Sequence, residues 1–193
     1  MTRREPRADR PARMIRRDLA DATLRIALAV DIDTVSVEVI AEAAGTSRST
    51  FFRCFPTKYD ALLQHVDASS EALLREARRT LAVAPELPWD GLRSACTVSL
   101  RDVLVRSGSM RELLSLVRGH AGLAAALASR VDAVRADLVD VLATAGVAGP
   151  HLLVRCALAA RDAALDEWLA DPTVDPVRTL ALSTTRLGAA LHS

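Results

Sequence analysis

The chain has 193 residues, half of them apolar, with three cysteines and a formal net charge of +1. That apolar content excludes wholesale disorder and suffices for one sizeable core or two small ones, and no apolar run approaches the roughly 18 residues of a membrane span. The charge is uneven: residues 1–17 hold seven arginines against Glu5 and Asp9, a net +5, which leaves −4 for the rest.

The basic arm, residues 1–12, comes first. A charge run of this kind is either a solvated tail or an electrostatic footprint for nucleic acid, where each neutralised phosphate releases counterions. Ile15, Leu19, Ala22, Ile26 and Ala29 then recur at helical spacing and predict a first helix. Residues 30–35 form a connection. Ser36 is placed to cap a second helix whose apolar positions are Val37, Ile40, Ala41 and Ala44. Gly45 supplies the left-handed stop, and Ser47 caps a third helix. In that helix Phe51 and Phe55, four apart, anchor one side, while Arg48, Ser49, Thr50 and Arg53 leave the leading turn polar. Pro56 ends it. Thr57 and Asp60 make a shortened capping box for the next helix, whose first turn carries Lys58, the only lysine in the chain. Free N–H groups, the helix dipole and an ammonium converge there, which suits a phosphate.

Residues 36–58 resemble the DNA-binding domain of the tetracycline-repressor (TetR) family, with its V-x-x-I-A-x-x-A-G-x-S-x-x-T-F-[FY]-x-x-F-x-[ST]-K pattern. Val37, Ile40, Ala41, Ala44, Gly45, Ser47, Thr50, Phe51, Phe52, Phe55, Thr57 and Lys58 fill it. The resemblance implies an all-α fold: a DNA-binding domain over residues 13–60 containing a helix-turn-helix, and a helical regulatory and dimerisation domain over 61–193. It places Arg48, Ser49, Thr50 and Phe52 against base edges in the major groove, with Ser36, Arg53, Thr57 and Lys58 on the phosphate backbone. Arg48 is the strongest reader, since a guanidinium can bond guanine O6 and N7 together. Thr50 can instead use its hydroxyl on a phosphate or its methyl against thymine, and Phe52 has a second reading as a core side chain. The sequence departs from the family pattern at Asp31, where glycine is usual and where aspartate can enter the left-handed region at some cost. Ala27 and Ile32 replace aromatics. Cys54 stands where the family often has a tyrosine or histidine for the backbone.

Beyond residue 57, Leu62, Leu63, Val66, Leu73, Leu74, Ala77 and Leu81 predict a long helix. Further helical patterns follow at about 89–106, 109–119, 121–145, 150–170 and 174–191, broken by glycines and prolines. No strand alternation is present. By resemblance, the last two helices pair with their copies in a four-helix bundle, with Cys156, Ala160, Ala163, Trp168, Leu180 and Leu187 at the dimer interface. An apolar stripe packed inside one chain gives the same pattern. The regulatory domain would hold a small effector, apolar because aromatics are scarce, with Cys96, Ser99, Arg118, His120 and Arg161 as the candidate polar contacts.

The three cysteines are widely spaced, with no C-x-x-C or metal-ligand pattern, which suits reduced cytoplasmic thiols. His65, His120, His151 and His192 are scattered, and neither a Ser/His/acid nor a Cys/His constellation nor a glycine-rich phosphate loop is legible. No catalytic residue, metal set, cofactor or membrane partner is therefore expected. The leading expectation is a homodimeric repressor that binds double-stranded DNA and is released by a small molecule. The alternative is a helical small-molecule carrier or protein-interaction module that retains a helix-turn-helix head.

Overall fold

A computed structural model describes residues 9–191, and among these it contains helices and turns with no strand. The helices are α1 (Asp9–Ala29), α2 (Val37–Ala43), α3 (Arg48–Cys54), α4 (Lys58–Val83), α5 (Pro88–Val105), α6 (Ser107–Gly119), α7 (Ala121–Thr144), α8 (Pro150–Ala170) and α9 (Pro176–Leu191), with a 3-10 turn at Ile32–Thr34. Of the expected arm, residues 1–8 lie outside the described residues, and α1 already begins at Asp9. None of the described helices is long and apolar enough to cross a membrane.

The chain forms two compact units. One comprises Met1–His65 with Glu112–Ala126, the other Val66–Arg111 with Leu127–Ser193. The first is the head. Its core is built from Leu19, Ala22 and Ala27 of α1, Ile32, Ile40 and Ala41, Phe51 and Phe55, and Leu62 and Leu63, all buried. The buried stripe of α1 is turned from the expected one, because Ala29 is exposed while Ala20, Thr23 and Leu24 are buried. Thr23 satisfies its buried hydroxyl by donating to the Leu19 carbonyl at 2.6 Å.

Local chemistry sets the helix ends of the head. Ser36 accepts the Val39 N–H at 3.4 Å, and Ser47 accepts the Thr50 N–H at 3.2 Å. Gly45, at φ +67°, lets α2 close with Gly45 N–H on Glu42 and Thr46 N–H on Ala41, a Schellman stop. Thr57 and Asp60 exchange bonds as expected of a capping box: the Thr57 N–H reaches the Asp60 carboxylate at 3.0 Å and the Asp60 N–H reaches the Thr57 hydroxyl at 3.1 Å. Asp31 does not enter the left-handed region. It is extended at φ −60° and ψ 117° and caps the 3-10 turn by accepting the Asp33 N–H, so no glycine is needed there.

The second unit packs Leu73, Ala77 and Leu81 of α4, Leu92, Cys96 and Leu100 of α5, and Leu138 and Leu142 of α7 around Val154, Ala157 and Leu158 of α8 and Leu180 of α9. Trp89 is buried with them and donates its indole N–H to the Thr184 carbonyl at 3.2 Å.

Candidate nucleic-acid interface

The third helix is held from behind. Phe51 and Phe55 are wholly buried with ring centroids 5.9 Å apart, and each such ring contributes about 1.5–3 kcal/mol through burial. Arg16 of α1 lies with its guanidinium 4.3 Å from the Phe55 ring and donates to the Cys54 carbonyl at 2.6 Å and to Gln64. A cation on the last carbonyl of α3 also suits the negative end of its dipole. Arg16 therefore works inside the head.

With that side anchored, Arg48, Ser49, Phe52 and Arg53 share the outward arc and are exposed. Phe52 is 46% exposed, which decides between its two readings against the core. Its ring lies edge-on to Phe51 at 5.6 Å, and the Arg48 guanidinium sits 5.3 Å from its centroid. The Arg48 Nε is also 2.8 Å from Oε1 of Glu38 on α2. Thr50 is half-buried, its hydroxyl 3.1 Å from that of Ser47. Cys54 is half-buried and, like Cys96 and Cys156, a free thiol.

Of the residues expected on phosphates, Arg53 is exposed, while Ser36 and Thr57 hold helix N-termini. Lys58 is the departure. Its ammonium donates to the carbonyls of Ile32 at 2.7 Å, Asp33 at 3.0 Å and Val35 at 3.2 Å, so a phosphate contact by Nζ would have to displace one of these. Reading its place in the first turn of α4 gave no sign of this, because the partners lie more than twenty residues upstream.

The same turn carries a polar tie that sequence reasoning missed. The Tyr59 hydroxyl donates to Asp33 Oδ1 at 2.5 Å, and His120 Nε2 lies 3.1 Å from Asp33 Oδ2. The bond to Asp33, then burial and the nearby negative charges, push the Tyr59 hydroxyl up to about 12. Asp33 is held below the usual carboxylate range, chiefly by that same bond and then by neighbouring His120 and Lys58. His120 stands between α6 and α7, where its Nδ1 accepts the Leu123 N–H at 3.2 Å. That acceptor role puts the ring proton on Nε2, facing Asp33. A Cβ on Gly122 would lie 2.8 Å from the Tyr59 oxygen, so only glycine lets α7 start this close to the ring. Asp31, Asp33 and His120 offer ligand atoms within 4.8 Å of one another, but both His120 nitrogens and both Asp33 oxygens already have protein partners.

Residues 19–66 match the sequence profile of the bacterial regulatory proteins of the tetR family. Residues 19–66 therefore form a DNA-binding domain of the TetR type. Among solved structures, it is similar to native NalD, the secondary repressor of the MexAB-OprM multidrug efflux pump in Pseudomonas aeruginosa, with a TM-score of 0.64 at 19% identity over 91% of this chain and 96% of that one. SmeT, the repressor of the Stenotrophomonas maltophilia multidrug efflux pump SmeDEF, gives 0.63 at 19% identity over 91% and 89%. A second NalD structure gives 0.62 at 17% over 92% and 96%. At these identities the likeness is one of fold. No curated protein matches the chain.

The four residues expected at an effector pocket divide between the two units. Cys96 and Ser99 are buried on α5 in the second unit, whereas Arg118 and His120 belong to the head unit. Cys96 donates its thiol to the Ala157 carbonyl at 3.6 Å, and burial pushes it up to about 11, which makes it an inert packing group. Arg161, half-buried on α8, pairs with Asp162 at 2.8 Å. An open groove of about 520 Å³ in the second unit is lined instead by Arg78, Leu81, Asp137, Asp140, Val141 and Thr144.

The residues expected at a dimer interface also separate. Ala160, Trp168 and Leu180 are buried within the single chain, because they face the core of the second unit, so this chain already covers them. Cys156 is half-buried, and Ala163 and Leu187 are exposed. Leu152, 61% exposed, and Leu182, 57% exposed, lie outward on α8 and α9.

Proposed function

We propose that the chain is a sequence-specific DNA-binding regulator, acting as a homodimeric repressor that a small-molecule effector releases from an inverted-repeat operator in the cytoplasm. The observation that supports this best is the outward arc of α3, with Arg48, Ser49, Phe52 and Arg53 exposed on a helix fixed by Phe51 and Phe55. An arginine that leads such a helix into the major groove meets guanine O6 and N7, Ser49 and Thr50 meet neighbouring base or sugar atoms, and Phe52 offers an apolar face to a thymine methyl. Arg53 and the capped N-termini at Ser36 and Thr57 meet phosphates, with the Lys58 charge behind them adding to the field. Residues 13–60 would be the reading domain and 61–193 the regulatory one.

Two heads are required for an inverted repeat. The outward residues Leu152, Cys156, Ala163, Leu182 and Leu187 of α8 and α9 give the apolar surface on which a copy would pair. An effector bound in the second unit would act by favouring the conformer whose head spacing misfits the half-sites. NalD and SmeT are described as repressors of efflux pumps, and the fold they share with this chain is consistent with repression here.

Selection from random duplexes followed by fluorescence anisotropy tests the reading. Enrichment of an inverted repeat, bound by two copies of the chain with affinity falling steeply as salt rises, is expected. Affinity indifferent to sequence would overturn it.

A further inference from the structure

Glu38 is an acid on the face that should meet polyanionic DNA, and it belongs to no part of the helix-turn-helix pattern. It lies in the first turn of α2 with its side chain 57% exposed, and its Oε1 stands 2.8 Å from the Nε of Arg48, itself 64% exposed. Hydrogen bonding to its own backbone N–H, then to the Ser36 hydroxyl, and then the charge of Arg48 hold the Glu38 carboxyl below the usual carboxylate range, so it is ionised wherever the protein binds DNA. The guanidinium is fixed on a second side by the Phe52 ring at 5.3 Å.

A guanidinium has two edges able to make paired bonds, the side edge containing Nε and the end edge formed by the two Nη groups. Glu38 occupies the Nε, so the end edge remains for a base. We infer that Glu38 is a positioning residue for DNA specificity: it aims Arg48 so that its two Nη groups meet guanine O6 and N7 together, and it places a negative charge that weakens binding to any sequence where that bond is not made. The inference rests on the proposed DNA-reading role of Arg48.

The reasoning is one of preorganisation. An exposed arginine has many rotamers and loses that freedom when it binds a base, while one already restrained by Glu38 and Phe52 loses less. The restraint is local to Arg48, so it strengthens discrimination at one base pair and leaves the others alone. The carboxylate meanwhile repels phosphates at every sequence, which lowers the non-specific background. An acid in a first turn also favours its own helix dipole. That simpler role predicts changes shared by all duplexes, and so the two can be told apart.

The test uses the full chain and a duplex selected from a random library, with the affinities of wild type, Arg48→Ala, Glu38→Gln and Glu38→Asp measured on that duplex, on each of its single-base-pair variants and on an unselected duplex. Arg48→Ala identifies the base pair that Arg48 reads. At that pair Glu38→Gln should cut the guanine preference roughly threefold to tenfold, while binding of the unselected duplex becomes equal or tighter. Glu38→Asp keeps the helix-terminal charge but is one methylene too short to reach Nε. It should lose the same preference with no gain on unselected DNA. Adding Glu38→Gln to Arg48→Ala should change the preference no further. A preference unchanged in both Glu38 variants, or a loss spread evenly over all base pairs, would overturn the positioning role while leaving DNA recognition intact. A wild type that enriches no sequence, or an Arg48→Ala profile that singles out no base pair, would overturn the DNA reading and the role of Glu38 with it.

Discussion

The outer edge and the base of the head are built on opposite terms. At the outer edge, Arg48, Glu38 and Phe52 are each about half or more exposed and touch one another through one ion pair and one ring contact. At the base, Lys58 uses its ammonium on three carbonyls, and Tyr59, His120 and Asp33 meet in one tie. An exposed ion pair contributes about 0–1 kcal/mol, whereas hydrogen bonds to a charged group with limited access to water contribute about 1.5–3 kcal/mol. Charged residues a few positions apart in one motif thus do different work. Those at the base fix the shape of the head, and those at the edge are available to a partner.

That contrast can be broken from the inside outward. Removing the buried ring behind the outer edge, Phe51→Ala, should cost about 3–5 kcal/mol and unfold much of the head, read by chemical denaturation. Lys58→Met should cost about 1.5–3 kcal/mol in the same measurement, because three carbonyls lose a cationic donor. Tyr59→Phe should cost about 0.5–1.5 kcal/mol and also remove a pH dependence. Since the folded Tyr59 hydroxyl is raised from about 10 to about 12, the stability it contributes is complete below pH 10 and lost as pH rises through 12. A wild-type head that loosens over that window, beside a Tyr59→Phe head without that contribution, would sharpen the contrast. At acid pH the sign reverses. Asp33 is depressed, so its contribution is present above its unfolded value near pH 4 and disappears as pH falls through its lower folded one, and Asp33→Asn should flatten that limb. Smallest of all, Arg48→Ala should change the free energy of unfolding by less than about 1 kcal/mol. An edge substitution as damaging as Lys58→Met would dissolve the distinction.

What the sequence made legible was local. Helices expected at about 89–106, 121–145 and 150–170 occur at Pro88–Val105, Ala121–Thr144 and Pro150–Ala170, because helix periodicity and glycine or proline stops are written within a few residues. The caps at Ser36, Ser47 and Thr57 were legible for the same reason. Long-range polar ties were not. Arg16 to the Cys54 carbonyl, Lys58 to the 3-10 turn and His120 to Asp33 link residues 38, 23–26 and 87 positions apart, with no repeating pattern to announce them. Nor did the apolar stripes of α8 and α9 say which side faced inward. Trp168 and Leu180 turn into the core while Leu152 and Leu182 turn out, a choice set by neighbouring helices and not by spacing.

The central claim is that the exposed arc of α3 reads bases. It is tested most directly by the affinity profile of Arg48→Ala across all single-base-pair variants of a selected inverted repeat, set against that of the wild type. The account predicts a loss of preference confined to one base pair in each half-site, placed symmetrically about the centre, with binding elsewhere lowered uniformly. A profile that keeps the wild-type preference at every position would contradict it.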